Sequence, residues 1–274
     1  MKEFIELIHY QYFINAILAS ALAAISCGIA GTYVVSRRIV FISGGITHTS
    51  FGGIGIGYFF GFNPVWGAAI FSVFSGLGIE YFTRKGNIRN DSVIAMIWSL
   101  GMAIGVIFIY LTPGYAPNLM TYLFGSILTV NSTDLMMLAA LTLVIILFFS
   151  AFFRRIHYIS FDQDYASSLN LHVGFINYSL MALVSLTIVF NIKLVGIILL
   201  LSMLTIPQNA ANLLTKDYKK IIFLSILIGF TGSVSGLILS YFLNIPSGAT
   251  IIFSLVSLYV ILRVFLGIRK IAWS

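Results

Sequence analysis

Long apolar stretches, separated by short polar segments, run along almost the whole chain. A helix needs about 20 mostly apolar residues to cross the hydrocarbon core of a bilayer. Windows of this kind predict an all-α, polytopic transmembrane protein. The predicted spans are residues 13–34, 41–62, 64–82, 92–112, 135–153, 174–190, 194–213, 221–243 and 249–266.

One apolar run, residues 174–213, is too long for a single span, and Asn191-Ile192-Lys193 offers a tight turn in its middle. Residues 122–130 are too few to cross, and we expect a helix that lies at the surface or enters partway. The prediction is nine spans, or eight if one segment is only re-entrant. No polar stretch is long enough to form a second domain, so residues 1–274 are expected to form a single transmembrane domain.

Lysine and arginine in short loops indicate the orientation of a membrane protein, because they are enriched on the cytoplasmic side. With nine spans and the N-terminus outside, every basic residue except Lys2 and Lys193 falls in an inner loop or in the C-terminal end. The sequence therefore predicts an outer N-terminus and an inner C-terminus. The longest polar inner connection, residues 154–171, is the expected place for contact with a cytoplasmic partner.

The composition agrees with a protein that is dissolved in lipid. Hydrophobic residues make up 59% of the chain and charged residues 8%, whereas soluble domains carry about 25% charged residues. The net charge of +7 does not indicate nucleic-acid binding, because the basic residues are scattered between apolar runs and not clustered on one face. The single cysteine, Cys27, excludes an internal disulfide, and its apolar surroundings predict a buried side chain.

Acidic residues are absent from the centres of the predicted spans. Charges at that depth are costly, so the absence is expected for a membrane protein. It also argues against proton relays and carboxylate-based hydrolysis inside the membrane. An intramembrane enzyme would need a nucleophile or a carboxylate pair in the spans, and the sequence offers neither.

His48 lies inside the second predicted span, in the most polar patch of any span. Its neighbours are Thr47, Thr49 and Ser50. Neutral imidazole is a common protein ligand of zinc and similar metals. The residues alone leave two interpretations open: a metal ligand in a transport pathway, or a packing histidine that hydrogen-bonds a neighbouring helix.

Glycines are frequent in the same span. Gly53, Gly57 and Gly61 stand four residues apart, so they share a helix face that lacks side chains. Such a face lets another helix approach closely, and it also permits backbone carbonyls to line a pore. The positions predicted to form the packing face or the pathway are Gly44, Thr47, Ser50, Gly53 and Gly57.

Residues 161–170 are predicted to form a short amphipathic helix on the inner side. Asp162 can cap its start, and Asn170 suits its end because asparagine tolerates a left-handed conformation. The residues expected to share its apolar face are Phe161, Tyr165, Ala166 and Leu169. This pattern favours a docking element for a partner.

The chain lacks the GxxxxGK[ST] motif, so it does not bind ATP through a P-loop. If transport is active, ATP hydrolysis must take place on another polypeptide.

Three stretches carry a family resemblance. They are residues 37–49 (RRIVFISGGITHT), Phe161-Asp162 with Ala166, and residues 195–211, from VGIILL through IP to AA. They resemble the patterns RR…F…GDALSHA, FDPELAxxxG and VGxLLxxALLxIPAATA of the integral permeases in the ABC-3 family, which serve zinc, manganese and iron uptake. Residues 122–128 with Asp134, and residues 246–251, also fit, in the same order along the chain.

The resemblance implies a homodimeric helical permease of the inner (cytoplasmic) membrane, with a translocation path at the subunit interface. It implies two ATP-binding cassette ATPase subunits docked beneath and an extracytoplasmic metal-binding protein above. The cargo would be a divalent metal ion (zinc, manganese or iron) moved by alternating access, with no permanently bound cofactor.

The sequence departs from the family pattern at one position of the proposed ion path. In the family, an Asp and a His four residues apart are thought to hold the ion; the His corresponds to His48, but Gly44 stands at the Asp position. Either another group substitutes, or the ion is held more weakly, or the function has diverged. Two alternatives therefore stay open: a permease for a metal chelate or vitamin-type substrate, and a passive channel or scaffold.

Overall fold

A computed structural model of the protein describes residues 10–86, 88–113, 127–169 and 171–271. These residues contain helices and no β-strand, which confirms the all-α prediction. The α-helices are α1 (Gln11–Ser36), α2 (Phe41–Phe60), α3 (Pro64–Lys85), α4 (Asn90–Leu111), α5 (Ser132–Phe161), α6 (Gln163–Ser168), α7 (Val173–Met203), α8 (Ile206–Leu214), α9 (Tyr218–Leu243) and α10 (Ser247–Ile271).

Part of the predicted surface helix over residues 122–130 lies outside the described residues. Its described end contains a 3-10 helix, Ile127–Thr129. Asn170, the predicted end of the amphipathic helix, also lies outside them.

Eight stretches are long and apolar enough to cross a membrane. They are Gln11–Ser36, Pro64–Lys85, Asn90–Leu111, Ser132–Phe161, Val173–Ile192, Leu194–Leu214, Tyr218–Leu243 and Ser247–Ile268. Each corresponds to one of the predicted spans, so the prediction of eight or nine spans is confirmed. The orientation of the termini stays a prediction.

The remaining predicted span is α2, whose mean hydropathy lies below that of the eight. Its 20 residues are long enough to cross, because a helix rises about 1.5 Å per residue. It packs against both α3 and α4, and most of its residues are buried. A helix surrounded by protein needs fewer apolar side chains than one that faces lipid, which explains its polar and glycine-rich sequence.

The inner connection after the fifth predicted span differs from the expectation. The sequence predicts a polar connection from residue 154, but α5 continues as a helix to Phe161, with one non-helical residue at Phe152 (φ −108°, ψ 16°). Neither glycine nor proline occurs in α5, and Arg154-Arg155 are good helix formers, so nothing ends the helix at the membrane boundary.

The long apolar run 174–213 forms two spans that meet at Lys193, as predicted, but the predicted tight turn is wrong. Asn191-Ile192-Lys193 is helical, and the backbone departs from the helix at Gly196 (φ 75°, ψ 169°). A positive φ is strained for residues with a side chain and accessible to glycine. A second break at Leu204-Thr205 precedes α8.

The described backbone divides into two compact units. The first contains residues 10–35, 127–146 and 194–271; the second contains the described residues of 36–113 and 147–193. In the first unit, α9 packs against α8 and α10. In the second unit, α2 packs against α3 and α4. The prediction of a single transmembrane domain over residues 1–274 stays a prediction.

Two glycine faces explain how α2 packs between its neighbours. A Cβ added to Gly53 would collide with the backbone of Gly67 in α3, and one added to Gly55 would lie 2.6 Å from the carbonyl oxygen of Gly105 in α4. Gly57 also faces α3, with an added Cβ 2.8 Å from the Pro64 Cα. These are the contacts of a close packing face.

Replacement of Gly53 by alanine should destabilise the second unit by about 1–3 kcal/mol, because its Cβ meets rigid backbone. Thermal unfolding of the protein in detergent, followed by loss of the monodisperse species, measures the effect. Gly78→Ala in α3 is the matched control, since its Cβ would meet only the Ile97 Cδ1 at 3.5 Å. Equal stability of the two variants would contradict the packing interpretation.

Candidate functional site

The imidazole of His48 is held between two helices of the second unit. It stacks on the indole of Trp98 in α4, with ring centroids 4.4 Å apart and ring planes 6° from parallel. The ring centroid of Phe51, on the next turn of α2, lies 6.2 Å from that of His48. His48 is partly buried, so the ring is fixed by packing without being sealed inside the protein.

The coordination chemistry around His48 is sparse. Its Nδ1 atom is buried and has no hydrogen-bond partner among the described residues. No group of three or more His, Cys, Asp or Glu side chains that could hold a metal ion occurs in the described part of the chain. A metal-bound histidine usually donates its second N–H to an acceptor, which strengthens the ligand. The described surroundings of His48 therefore supply a single imidazole without such support.

The hydroxyl groups beside His48 satisfy their own helix. Thr49 Oγ1 donates to the Gly45 carbonyl at 2.5 Å, and Ser50 Oγ donates to the Thr47 carbonyl at 2.5 Å. The Thr47 hydroxyl is buried and has no partner in the described structure. These contacts do not bring the three hydroxyl groups together around the imidazole as a ligand set.

Gly44 lies one helical turn before His48. It is partly exposed, as His48 is. Residues four apart in a helix share a face, so a side chain at position 44 would lie beside the imidazole. These two positions align, by the resemblance, with the family's Asp and His, and here they hold a glycine and a histidine.

The predicted docking helix is α6, and Asp162 caps it. Asp162 Oδ1 accepts hydrogen bonds from the backbone N–H groups of Asp164 and Tyr165 at 3.0 and 2.9 Å. Three large apolar side chains in and beside α6 form an exposed stripe: Phe161 is 65% exposed, Tyr165 53% and Leu169 47%.

Ala166 does not belong to that stripe, which corrects the expectation that the four residues share a face. It is fully buried, while Phe161, Tyr165 and Leu169 are exposed. Ala166 lies three residues after Gln163, the other residue of α6 that is shielded from solvent. The two form the inner face of α6, and the stripe forms its outer face.

The broken helix of the first unit is stabilised by Gln208, a residue that the sequence analysis missed. The Met203 carbonyl would bond to the N–H of residue 207 in a continuous helix, but Pro207 has none. Gln208 Nε2 donates to that carbonyl at 3.1 Å and to the Cys27 carbonyl of α1 at 2.8 Å. Gln208 occupies a position where the family pattern has alanine. This difference could have marked Gln208 as a residue with a role of its own.

A cavity of about 650 Å³ lies within the first unit. Its polar lining includes Ser240, Asn244 and Ser247, and the rest is mainly apolar. Its described lining residues include no His, Cys, Asp or Glu, so this cavity has no strong metal ligand. Cys27 is fully buried elsewhere in this unit, as expected.

Comparison with known proteins identifies the group to which this architecture belongs. The sequence pattern of the ABC 3 transport family matches residues 9–266. The chain belongs to the ABC 3 transport family. It is a multi-pass membrane protein and a transport subunit, not an enzyme.

Relatives of known sequence and structure support this assignment over most of the chain. An uncharacterized membrane protein of Synechocystis is 40% identical over 252 residues, 92% of this chain and 90% of the relative. The manganese transport system membrane protein MntC of Listeria monocytogenes is 32% identical over 246 residues, 90% of this chain and 88% of the relative. PsaBC from Streptococcus pneumoniae, solved in complex with Fab, has a chain with a TM-score of 0.83 and 30% identity, covering 95% of this chain and 94% of that one.

Replacement of Asp162 by alanine should loosen α6, because two backbone N–H groups lose their acceptor, at a cost of about 1 kcal/mol. Hydrogen exchange of the amides in residues 163–168 should accelerate. Asp162→Asn is the control, since its side-chain oxygen can still accept both bonds. The capping role is wrong if the alanine and asparagine variants exchange at the same rate.

Proposed function

We propose that the chain is the permease subunit of an ATP-driven importer for divalent metal ions in the inner (cytoplasmic) membrane. Manganese is the cargo to test first, ahead of zinc and iron. The observation that carries the proposal is similarity along 90% of the chain to a Listeria protein named for manganese transport. The fold similarity to PsaBC supports the same family of transporters.

His48 would act as a transient ligand on the route of the ion. Its imidazole ring is partly buried, and stacking on Trp98 fixes its orientation. An ion in transit must leave as readily as it enters, so a weak ligand is suitable for transport. Gly44 removes the carboxylate that the family pattern has on this face, which weakens the site further.

The working complex would be a homodimer of this chain with two ATP-binding cassette ATPase subunits and an extracytoplasmic metal-binding protein. Support for the ATPase contact comes from α6. Phe161 at the end of α5, Tyr165 in α6 and Leu169 directly after α6 form a large exposed apolar stripe. Such a stripe is the kind of surface that a protein partner covers.

Replacement of His48 by alanine should reduce ATP-dependent Mn²⁺ accumulation in vesicles to the level seen without ATP, because the pathway loses its nitrogen ligand. Uptake of radioactive or dye-detected Mn²⁺ by the reconstituted transporter is the measurement. His172→Ala, at an exposed position outside the spans, is the matched control. Normal accumulation by the His48 variant would exclude the proposed role.

A second variant restores the aspartate that the family pattern has at position 44. Gly44→Asp should place a carboxylate beside His48, and it should increase the apparent affinity for Mn²⁺ by at least about tenfold, the equivalent of about 1.4 kcal/mol. Gly44→Asn adds a side chain of the same shape without the charge and serves as its control. Identical affinities for the Asp and Asn variants would show that this face does not meet the ion.

The docking proposal has its own test. Tyr165→Ser should weaken copurification of the ATPase subunits, because it removes the centre of the exposed stripe. Tyr110→Ser is the matched control, since Tyr110 is 88% exposed on a different helix. The docking assignment fails if both serine variants retain the ATPase equally.

A metal chelate or vitamin-type cargo is the second candidate. The glycine at position 44 and the lack of a metal-ligand group in the described residues favour it. This alternative predicts ATP-dependent uptake of a chelate that is insensitive to His48→Ala. Uptake that proceeds without ATP would instead indicate a passive channel.

A further inference from the structure

Arg37, Gln163 and Asn177 come from separated parts of the chain and meet within the second unit. Arg37 directly follows α1, Gln163 is the first residue of α6, and Asn177 lies near the start of α7. The sequence analysis assigned none of these side chains a joint role. Their meeting point lies behind the docking helix, on its inner face.

A polar network joins the three residues. With the Gln163 amide oriented to satisfy its neighbours, Oε1 accepts from Arg37 Nη1 and Nη2 at 2.8 Å each and from Asn177 Nδ2 at 2.5 Å. Arg37 Nη1 also donates to the Ile159 carbonyl at 3.1 Å. Ile159 lies in the last turn of α5, where carbonyls lack partners within the helix. Arg37 thus connects the end of α5 to the start of α6.

The network leaves some of its buried polar atoms without hydrogen-bond partners. Asn177 is fully buried, and its Oδ1 has no partner among the described residues. Arg37 Nε is likewise buried without a partner. In the described part of the chain, the Arg37 guanidinium forms no ion pair with an acid. A partly satisfied network of this kind contributes less to stability than an apolar core would. Static stability is therefore a poor explanation for these residues.

The inner face of α6 presents two side chains that are shielded from solvent. Ala166 gives one small apolar contact, and Gln163 gives the polar one. All other residues of α6 are exposed. The Gln163 side chain therefore gives α6 a direct polar contact with α7 through Asn177, beside the chain connection, where the Leu171 N–H donates to the Ala166 carbonyl.

We propose that Gln163, with Arg37 and Asn177, is the joint that transmits movement of the docked α6 to the membrane helices. The proposal rests on the proposed function, in which a partner ATPase binds the outer stripe of α6. Gln163 is a positioning residue: it does not touch the ion or ATP. A joint needs bonds that can rearrange, and one amide oxygen shared by three donor groups meets that need.

The test compares Gln163→Met with Gln163→Glu in the transporter reconstituted with its ATPase. Methionine keeps the length of the side chain but removes the acceptor, whereas glutamate keeps an acceptor for Arg37 and Asn177. We expect Gln163→Met to assemble and hydrolyse ATP, and to transport at least about fivefold fewer Mn²⁺ ions per ATP than the wild type. We expect Gln163→Glu to retain the wild-type ratio. Ser167→Ala, on the exposed side of α6, is the control and should also retain it.

Two results would overturn the proposal. One is a wild-type ratio of ions per ATP for Gln163→Met; the other is loss of assembly and thermal stability in proportion to the loss of transport, which marks a purely structural role.

Hydrogen exchange of residues 173–180 with and without nucleotide-bound ATPase gives a readout that needs no cargo. A nucleotide-dependent change that vanishes in Gln163→Met supports the joint even if the wild type carries no Mn²⁺, in which case only the proposed cargo fails. A change that persists in Gln163→Met counts against the joint.

Discussion

Every peptide group that enters hydrocarbon must find its hydrogen-bond partner inside the protein, and the rest of this structure depends on that constraint. It requires helices, and it makes any break in them costly. Many hydroxyl side chains also bond to a carbonyl one turn back, as Thr32 does to Gly28 and Thr142 to Leu138. Where Pro207 removes a backbone donor, the side chain of Gln208 supplies the missing bond. The broken helix is therefore tolerated because a neighbouring polar group repairs it.

The same constraint shapes α2. Without water between helices, close packing is a main source of attraction, and glycine allows the closest approach of two backbones. Gly53 and Gly57 approach α3, while Gly55 approaches α4. Because packing occupies these two faces, polar chemistry on α2 is confined to the part of its surface where His48 and Gly44 are partly exposed. The proposed ion site on this part of α2 would offer one nitrogen ligand.

The region after α5 is built differently. The short helix α6 turns an apolar stripe outward and a polar contact inward. An outward stripe alone would give a binding surface. The inward network of Gln163 with Arg37 and Asn177 joins α6 to α7 by hydrogen bonds, and the proposed coupling of hydrolysis to transport rests on that connection.

The helical class, a count of eight or nine spans, the cap at Asp162 and the family followed from the sequence alone, because hydropathy, capping and motif spacing are local properties of the chain. It also placed His48 and the glycines of α2 on a helix within the membrane. Three-dimensional coordinates were needed to find that Ala166 points inward, that the backbone leaves the helix at Gly196 and that Trp98 stacks on His48. The same holds for the meeting of Arg37, Gln163 and Asn177. Those features depend on which distant residues come into contact. Contact between helices is set by packing in three dimensions, and the periodicity of one helix does not contain that information.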